Sequence, residues 1–182
     1  MNLREYFKKM KGSTRGTPPR VNNSEIFWSW TGAFIGIAAV GWLNLQFFSG
    51  RDITLLIGSF GASAVLIYGA VRSPLAQPRN LMGGHVFSAV IGVICWKLLG
   101  QNLWLAEATA VATAIAVMHA TRTLHPPGGA TALIAVAGSP AIHKLGFLYV
   151  LIPATIGPLI LLLIALLVNN IPASRRYPEI WF

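Results

Sequence analysis

With 182 residues, 54% of them hydrophobic and only 10% charged, and a mean hydropathy of +0.61, the chain has too few charged side chains to cover a water-soluble surface. The formal net charge of +9 would suit a nucleic-acid binder, but the cations sit at the ends of apolar runs, where membrane topology accounts for them. Nucleic acid is therefore excluded as a partner, the lipid bilayer is expected instead, and the length fits one domain.

Residues 1–24 read as a basic N-terminal tail on the cytoplasmic side; with no adjacent apolar core and small-residue cleavage site, the stretch does not read as a secretory signal. A transmembrane domain over 25–170 and a C-terminal tail over 171–182 follow. Six apolar segments divide the domain, at about 26–48, 53–72, 80–99, 103–124, 127–139 and 145–169. Most are long enough to span. The fifth rises only ~20 Å as a helix against a hydrocarbon core of ~30 Å, which makes it a half-helix or a tilted, buried one.

Charge sets the expected orientation. With the N-terminus inside and six crossings, Arg4, Lys8, Lys9, Lys11, Arg15, Arg20, Arg72, Arg79, Arg122, Arg175 and Arg176 fall on the cytoplasmic side, against Arg51, Lys97 and Lys144 on the other, eleven to three. A re-entrant fifth segment would give ten to four, so the rule favours six crossings.

An internal repeat divides the domain evenly. Gly61-Ala62-Ser63-Ala64-Val65-Leu66 matches Gly129-Ala130-Thr131-Ala132-Leu133-Ile134, then Ser73-Pro74 matches Ser139-Pro140, and Ala89-Val90-Ile91-Gly92 matches Ala154-Thr155-Ile156-Gly157. Three segments per unit is an odd number, so the second unit must run upside down relative to the first. The expected fold is an all-α polytopic membrane protein, about six segments in a 3+3 inverted repeat, with units at about 25–100 and 101–170 and short or broken helices at segments two and five.

The fifth segment opens on His125-Pro126-Pro127-Gly128-Gly129. A residue before proline is pushed out of the helical region, so His125 and Pro126 are expected to be extended, with Pro127 at the first position of a new helix. Gly128 and Gly129 would leave the N–H groups of that helix start open to a bound group. The second segment carries Ser59, Gly61 and Ser63 at the matching place, and inversion would bring the two helix starts together near the midplane. A helix start favours an anion by only about 0.3–2 kcal/mol, so two opposed starts, a cation and hydroxyls would be needed to offset desolvation. The candidate substrate-binding set is accordingly Arg122, His125, Pro126, Pro127, Gly128, Gly129 and Thr131, with Ser59, Gly61 and Ser63 opposite and His119 on the preceding helix. Plainer readings stand beside these: Arg122 as a snorkelling helix end, His125 as a hydrogen-bond donor that fixes the break, His119 as a packed or pore-lining residue. His85, after Gly83-Gly84, and His143 carry weaker signals.

Catalytic chemistry finds no support. Glu5, Glu25, Asp52, Glu107 and Glu179 are terminal or near loops and offer no buried acid–base pair. The four histidines lack two-ligand helical spacing and Cys95 stands alone, so no metal, cofactor or intrachain disulfide is expected. Gly32 and Gly36, and the ridge of Ala106, Ala110 and Ala114, suit close helix packing, within the bundle or between subunits of a homo-oligomer.

The His125-Pro126-Pro127 tripeptide with the Gly128-Gly129-Ala130 that follows, the Gly-Ser-Phe-Gly-Ala-Ser block at 58–63 and the Pro18-Pro19-Arg20 lead-in resemble the HPP family of integral membrane proteins over most of 18–170. That resemblance implies nitrite transport, the activity associated with chloroplast-envelope and cyanobacterial members; the family is usually described as four-spanning, against six segments counted here. The N-terminus does not read as a transit peptide, which points to a bacterial inner membrane. The expected function is a transporter or channel for a small inorganic anion, the alternative being a non-transporting membrane module that anchors or regulates a partner protein.

Overall fold

The computed structural model describes residues 10, 20–48 and 55–181. The lead-in prolines, the tail cations from Arg4 to Arg15, and Arg51 and Asp52 lie outside the described residues. Among those described, all regular structure is helical: α1 (Asn23–Phe48), α2 (Ser59–Ala64) continuing into a π-helical turn (Val65–Gly69), a 3₁₀ turn (Pro74–Ala76), α3 (Pro78–Leu99), α4 (Leu103–Ala120), α5 (Pro126–Ala137), α6 (Pro140–Leu145), α7 (Leu148–Leu151) and α8 (Ile156–Val168).

Each of the six apolar segments holds a helix. The spans Asn23–Phe48, Pro78–Leu99, Leu103–Ala120 and Leu148–Val168 are long and apolar enough to cross a membrane, while Ser59–Gly69 and Pro126–Ala137 are shorter apolar helices. The 12 residues of α5 rise only ~18 Å. Two local expectations are corrected. Pro126 is not extended: it is already the first helical residue, and only His125 is extended, at φ −141° and ψ 103°. The sixth segment is interrupted between α7 and α8, around Pro153, which has no N–H to carry a helix through.

Local chemistry places the ends. Proline, whose fixed φ suits a first turn, opens α3, α5 and α6. The end of α4 is closed by Thr123 N–H donating to the Met118 carbonyl at 2.8 Å and Arg122 N–H to His119 at 3.2 Å, with Arg122 in the left-handed region at φ 56°. Arg79 then donates to the Thr121 carbonyl at 2.8 Å, and Asn80 to Leu124 at 2.8 Å, which ties the α4–α5 connection to the start of α3.

Polar contacts gather at two ends of the bundle. At one, Arg175 holds Glu25 at 2.9 Å, Arg72 donates to Ser174, and Tyr177 donates to Ala76. Burial raises the Tyr177 phenol above its ordinary range. At the other, Trp96 stacks on His143 with ring centres 3.6 Å apart, and Lys97 lies over Phe147.

Helices α2, α3 and α5 form the centre, with α1 and α4 at the rim. α1 buries only Gly32, Gly36 and Val40, and α4 only Ala106, Ala110, Ala114 and Met118, each a single stripe at four-residue spacing. The small stripes are used inside the bundle: a Cβ on Gly32 would lie 2.5 Å from Tyr68 Cδ1, and the alanines pack with Cys95, Ala132 and Val136. The outward faces carry Phe27, Trp30, Phe34, Trp104, Leu163 and Leu167, all exposed. So much large apolar surface is stable only against hydrocarbon or protein.

Candidate functional site

The polar centre of the molecule is built where α2, α3 and α5 meet. Small residues on one face of α3 let the other backbones in. A Cβ on Gly83 would lie 2.5 Å from Thr123 Cγ2, one on Gly84 would overlap the His125 Cβ, and one on Gly92 would lie 2.6 Å from the Ala132 carbonyl. Every fourth residue from Gly84 through Ser88 to Gly92 is small, so α5 seats directly on α3.

In that contact five buried polar side chains are linked by hydrogen bonds, Ser59, Ser63, His85, His125 and Thr131, while Ser88, buried beside them on α3, has no side-chain hydrogen-bond partner among the described residues. Ser63 Oγ lies 2.7 Å from His85 Nε2 and 2.9 Å from His125 Nε2. The far nitrogens are held as well: His125 Nδ1 lies 2.8 Å from the Leu75 carbonyl in the 3₁₀ turn, and His85 Nδ1 lies 2.6 Å from Thr131 Oγ1. Thr131 Oγ1 is also 2.9 Å from Ser59 Oγ, and its backbone carbonyl accepts from Tyr149 at 2.9 Å. The imidazoles stand 5.1 Å apart, tilted by 57°, and Phe60 meets His85 edge-on. Ser63 and Thr131 are the matched hydroxyls of the sequence repeat, and they grip opposite nitrogens of one ring.

Of the residues picked out in the sequence, the structure brings Ser59, Ser63, His125 and Thr131 into this cluster and places Pro127 beside it, its carbonyl 3.3 Å from Thr131 Oγ1. Gly61, His119, Arg122 and Pro126 are exposed and outside it. Arg122 makes no side-chain hydrogen bond among the described residues. At the start of α5 two prolines remove two N–H groups, and Gly128 N–H donates to the His125 carbonyl at 2.8 Å. The open side of Gly128 is filled by α3, since a Cβ there would lie 2.6 Å from the Gly84 carbonyl oxygen and 2.9 Å from Ser88 Oγ. Gly129 faces Val111 at an ordinary 3.9 Å. The polar chemistry therefore lies one turn inside the helix start. Sequence reasoning undervalued His85; the signal was its place in Gly83-Gly84-His85, on the stripe of Gly84, Ser88 and Gly92. Among the described residues no group of His, Cys, Asp and Glu has a metal-binding arrangement.

An all-helical bundle with an apolar exterior and a sealed imidazole–hydroxyl cluster defines an integral membrane protein with a polar site at its centre. The chain belongs to the HPP family: the family's transmembrane region matches residues 18–178. Two transmembrane proteins of Dictyostelium discoideum are similar to it, one 45% identical over 98% of this chain and 58% of its own length, the other 43% identical over 100% and 65%. The chain thus spans about three-fifths of the length of these relatives. Both come from a eukaryote, so they give no support to the bacterial inner membrane expected from the sequence. No solved structure matches.

Proposed function

We propose that the chain carries a small inorganic anion across the membrane through the buried cluster, and that nitrite, the ion implied by the family resemblance, is among its substrates. The observation that carries this reading is the cluster itself. Five polar side chains, each at most 1% exposed, inside an apolar bundle are expensive, and such groups within a membrane mark pathways for polar solutes. The cluster contains imidazoles and hydroxyls and no carboxylate, so it lacks the oxygen anions that a hard-cation path presents.

Reciprocal contacts support six crossings in a 3+3 inverted repeat. Gly92 of α3 packs on α5, and its repeat partner Gly157 of α8 packs on Phe60 of α2. The single buried stripes of α1 and α4 are likewise counterparts. Arg72, Arg79 and Arg175 gather at one end with the α4–α5 connection that carries Arg122, and Lys97 and His143 lie at the other, which supports a cytoplasmic side for both termini.

Purified protein in liposomes tests the reading. Nitrite should enter faster than into protein-free vesicles of the same lipid; equal rates would leave the alternative, a membrane module that anchors or regulates a partner protein.

A further inference from the structure

This inference rests on the anion-transport reading and concerns how the same site is charged when loaded. The Leu75 carbonyl can only accept, so His125 Nδ1 carries a proton and donates to it at 2.8 Å. A neutral His125 then has a bare Nε2, into which the Ser63 hydroxyl donates at 2.9 Å. With its one proton committed, Ser63 Oγ accepts from His85 Nε2–H at 2.7 Å. Neutral His85 has a bare Nδ1, to which Thr131 turns its hydroxyl proton at 2.6 Å, away from the Ser59 Oγ that it donates to at 2.9 Å in the alternative arrangement. One fixed acceptor sets every proton from His125 to Thr131.

The same heavy atoms serve a second arrangement with one more proton. Thr131 then donates to Ser59, His85 Nδ1–H to Thr131, Ser63 to His85 Nε2, and His125 Nε2–H to Ser63, while His125 keeps Nδ1–H on Leu75. His125 is then an imidazolium. Passing between the two needs only a proton delivered at Ser59 by water or by the conjugate acid of the permeant anion; at each hop one O–H or N–H bond breaks and the next forms, and nothing is oxidised or reduced. An imidazolium buried without a counter-charge is strongly disfavoured, and so is a buried anion; together they form a pair.

We infer that Ser59, Thr131, His85 and Ser63 are a proton relay whose acceptor is His125, and that the protein moves one proton with each anion. Among the described residues no other charge near the pair supplies the balance. On the 3₁₀ turn side Arg72 is turned to Ser174; on α3 Arg79 is turned to Thr121 and Lys97 lies at the far end over Phe147. On α4 His119 is exposed, as is Arg122 just beyond the helix, and Glu107 lies near the far end of α4. Neither α2 nor α5 carries any charged group besides, the π turn's Tyr68 donates to Leu161, and Tyr149 donates to the Thr131 carbonyl.

The experiment uses proteoliposomes with a lumenal pH dye and a potassium–valinomycin voltage clamp, with protein-free vesicles subtracted. Parent protein should acidify the lumen by one proton per nitrite, at a rate indifferent to voltage and rising as external pH falls. Ser63→Ala breaks the chain between the rings and should cut coupled uptake about a hundredfold, with Ser63→Thr restoring it; should Ser63→Ala not fold, Thr131→Val interrupts the chain at the next hydroxyl and should give the same loss. Voltage-driven nitrite entry without acidification in the parent would overturn the relay and leave transport standing. Coupled uptake in Ser63→Ala or Thr131→Val equal to the parent would also overturn it. No nitrite flux above protein-free vesicles would overturn both the relay and the transport reading.

Discussion

The two neighbouring glycines of α5 separate a helix start built to be packed from one built to receive a ligand. A methyl group on Gly128 meets the Gly84 carbonyl oxygen at 2.6 Å and Ser88 Oγ at 2.9 Å. The first of these is backbone and cannot rotate away, so α5 must lift from α3. Such overpacking costs about 1–3 kcal/mol, offset in part by the preference of alanine over glycine in a helix, up to ~1 kcal/mol. Gly128→Ala should therefore lose about 1–2 kcal/mol, a thermal shift of roughly −2 to −8 °C for a chain of this size. At Gly129 the nearest atom is Val111 Cγ1 at 3.9 Å, an ordinary contact, so Gly129→Ala should be neutral or slightly stabilising. The check is thermal unfolding of the two purified variants in one detergent. Equal midpoints would refute the packing argument and return α5's start to the role of an open cradle.

Further variants probe other parts. Arg122 occupies a left-handed position at φ 56° that glycine fills without strain, so Arg122→Gly should raise thermal stability by about 1 kcal/mol; if the guanidinium also draws in the anion, as its sequence position suggested, nitrite flux should fall while stability rises. Arg175 has a side chain only 3% exposed and donates to Glu25, Tyr68, Asn169 and Ser29, so Arg175→Ala should destabilise by ~3 kcal/mol or more. Glu25→Gln keeps an acceptor there and should cost nearer ~1 kcal/mol; unfolding curves that coincide would contradict this. In a Cys95→Ala background, single cysteines at Gln101 and Arg176, both exposed, should label from opposite faces of the membrane, and labelling from one face would rule out six crossings.

The helices were legible because apolar length and proline punctuation are local signals. Pro78, Pro126 and Pro140 open helices in the structure, the start of α5 falling one residue before the Pro127 expected from the sequence. The interruption near Pro153 was hidden by the unbroken apolar composition of 145–169, since hydropathy is blind to a missing N–H. At the site, the repeat pointed to Ser63 and Thr131 because matched blocks preserve position, and both reach the cluster. His85 was undervalued because its role depends on partners 22 and 46 residues away, which no local spacing reveals. Arg122 illustrates the converse: closeness in sequence to His125 suggested a shared site, but the left-handed turn between them sends its side chain outward.

The central claim is that the two buried histidines belong to one directed chain of hydrogen bonds. Nitrogen-15 NMR of histidine-labelled protein in bilayers, with His85→Gln and His125→Gln for assignment, reads the tautomers directly. Opposite tautomers are expected for the neutral pair, Nδ1–H on His125 and Nε2–H on His85. The same tautomer on both rings would contradict it.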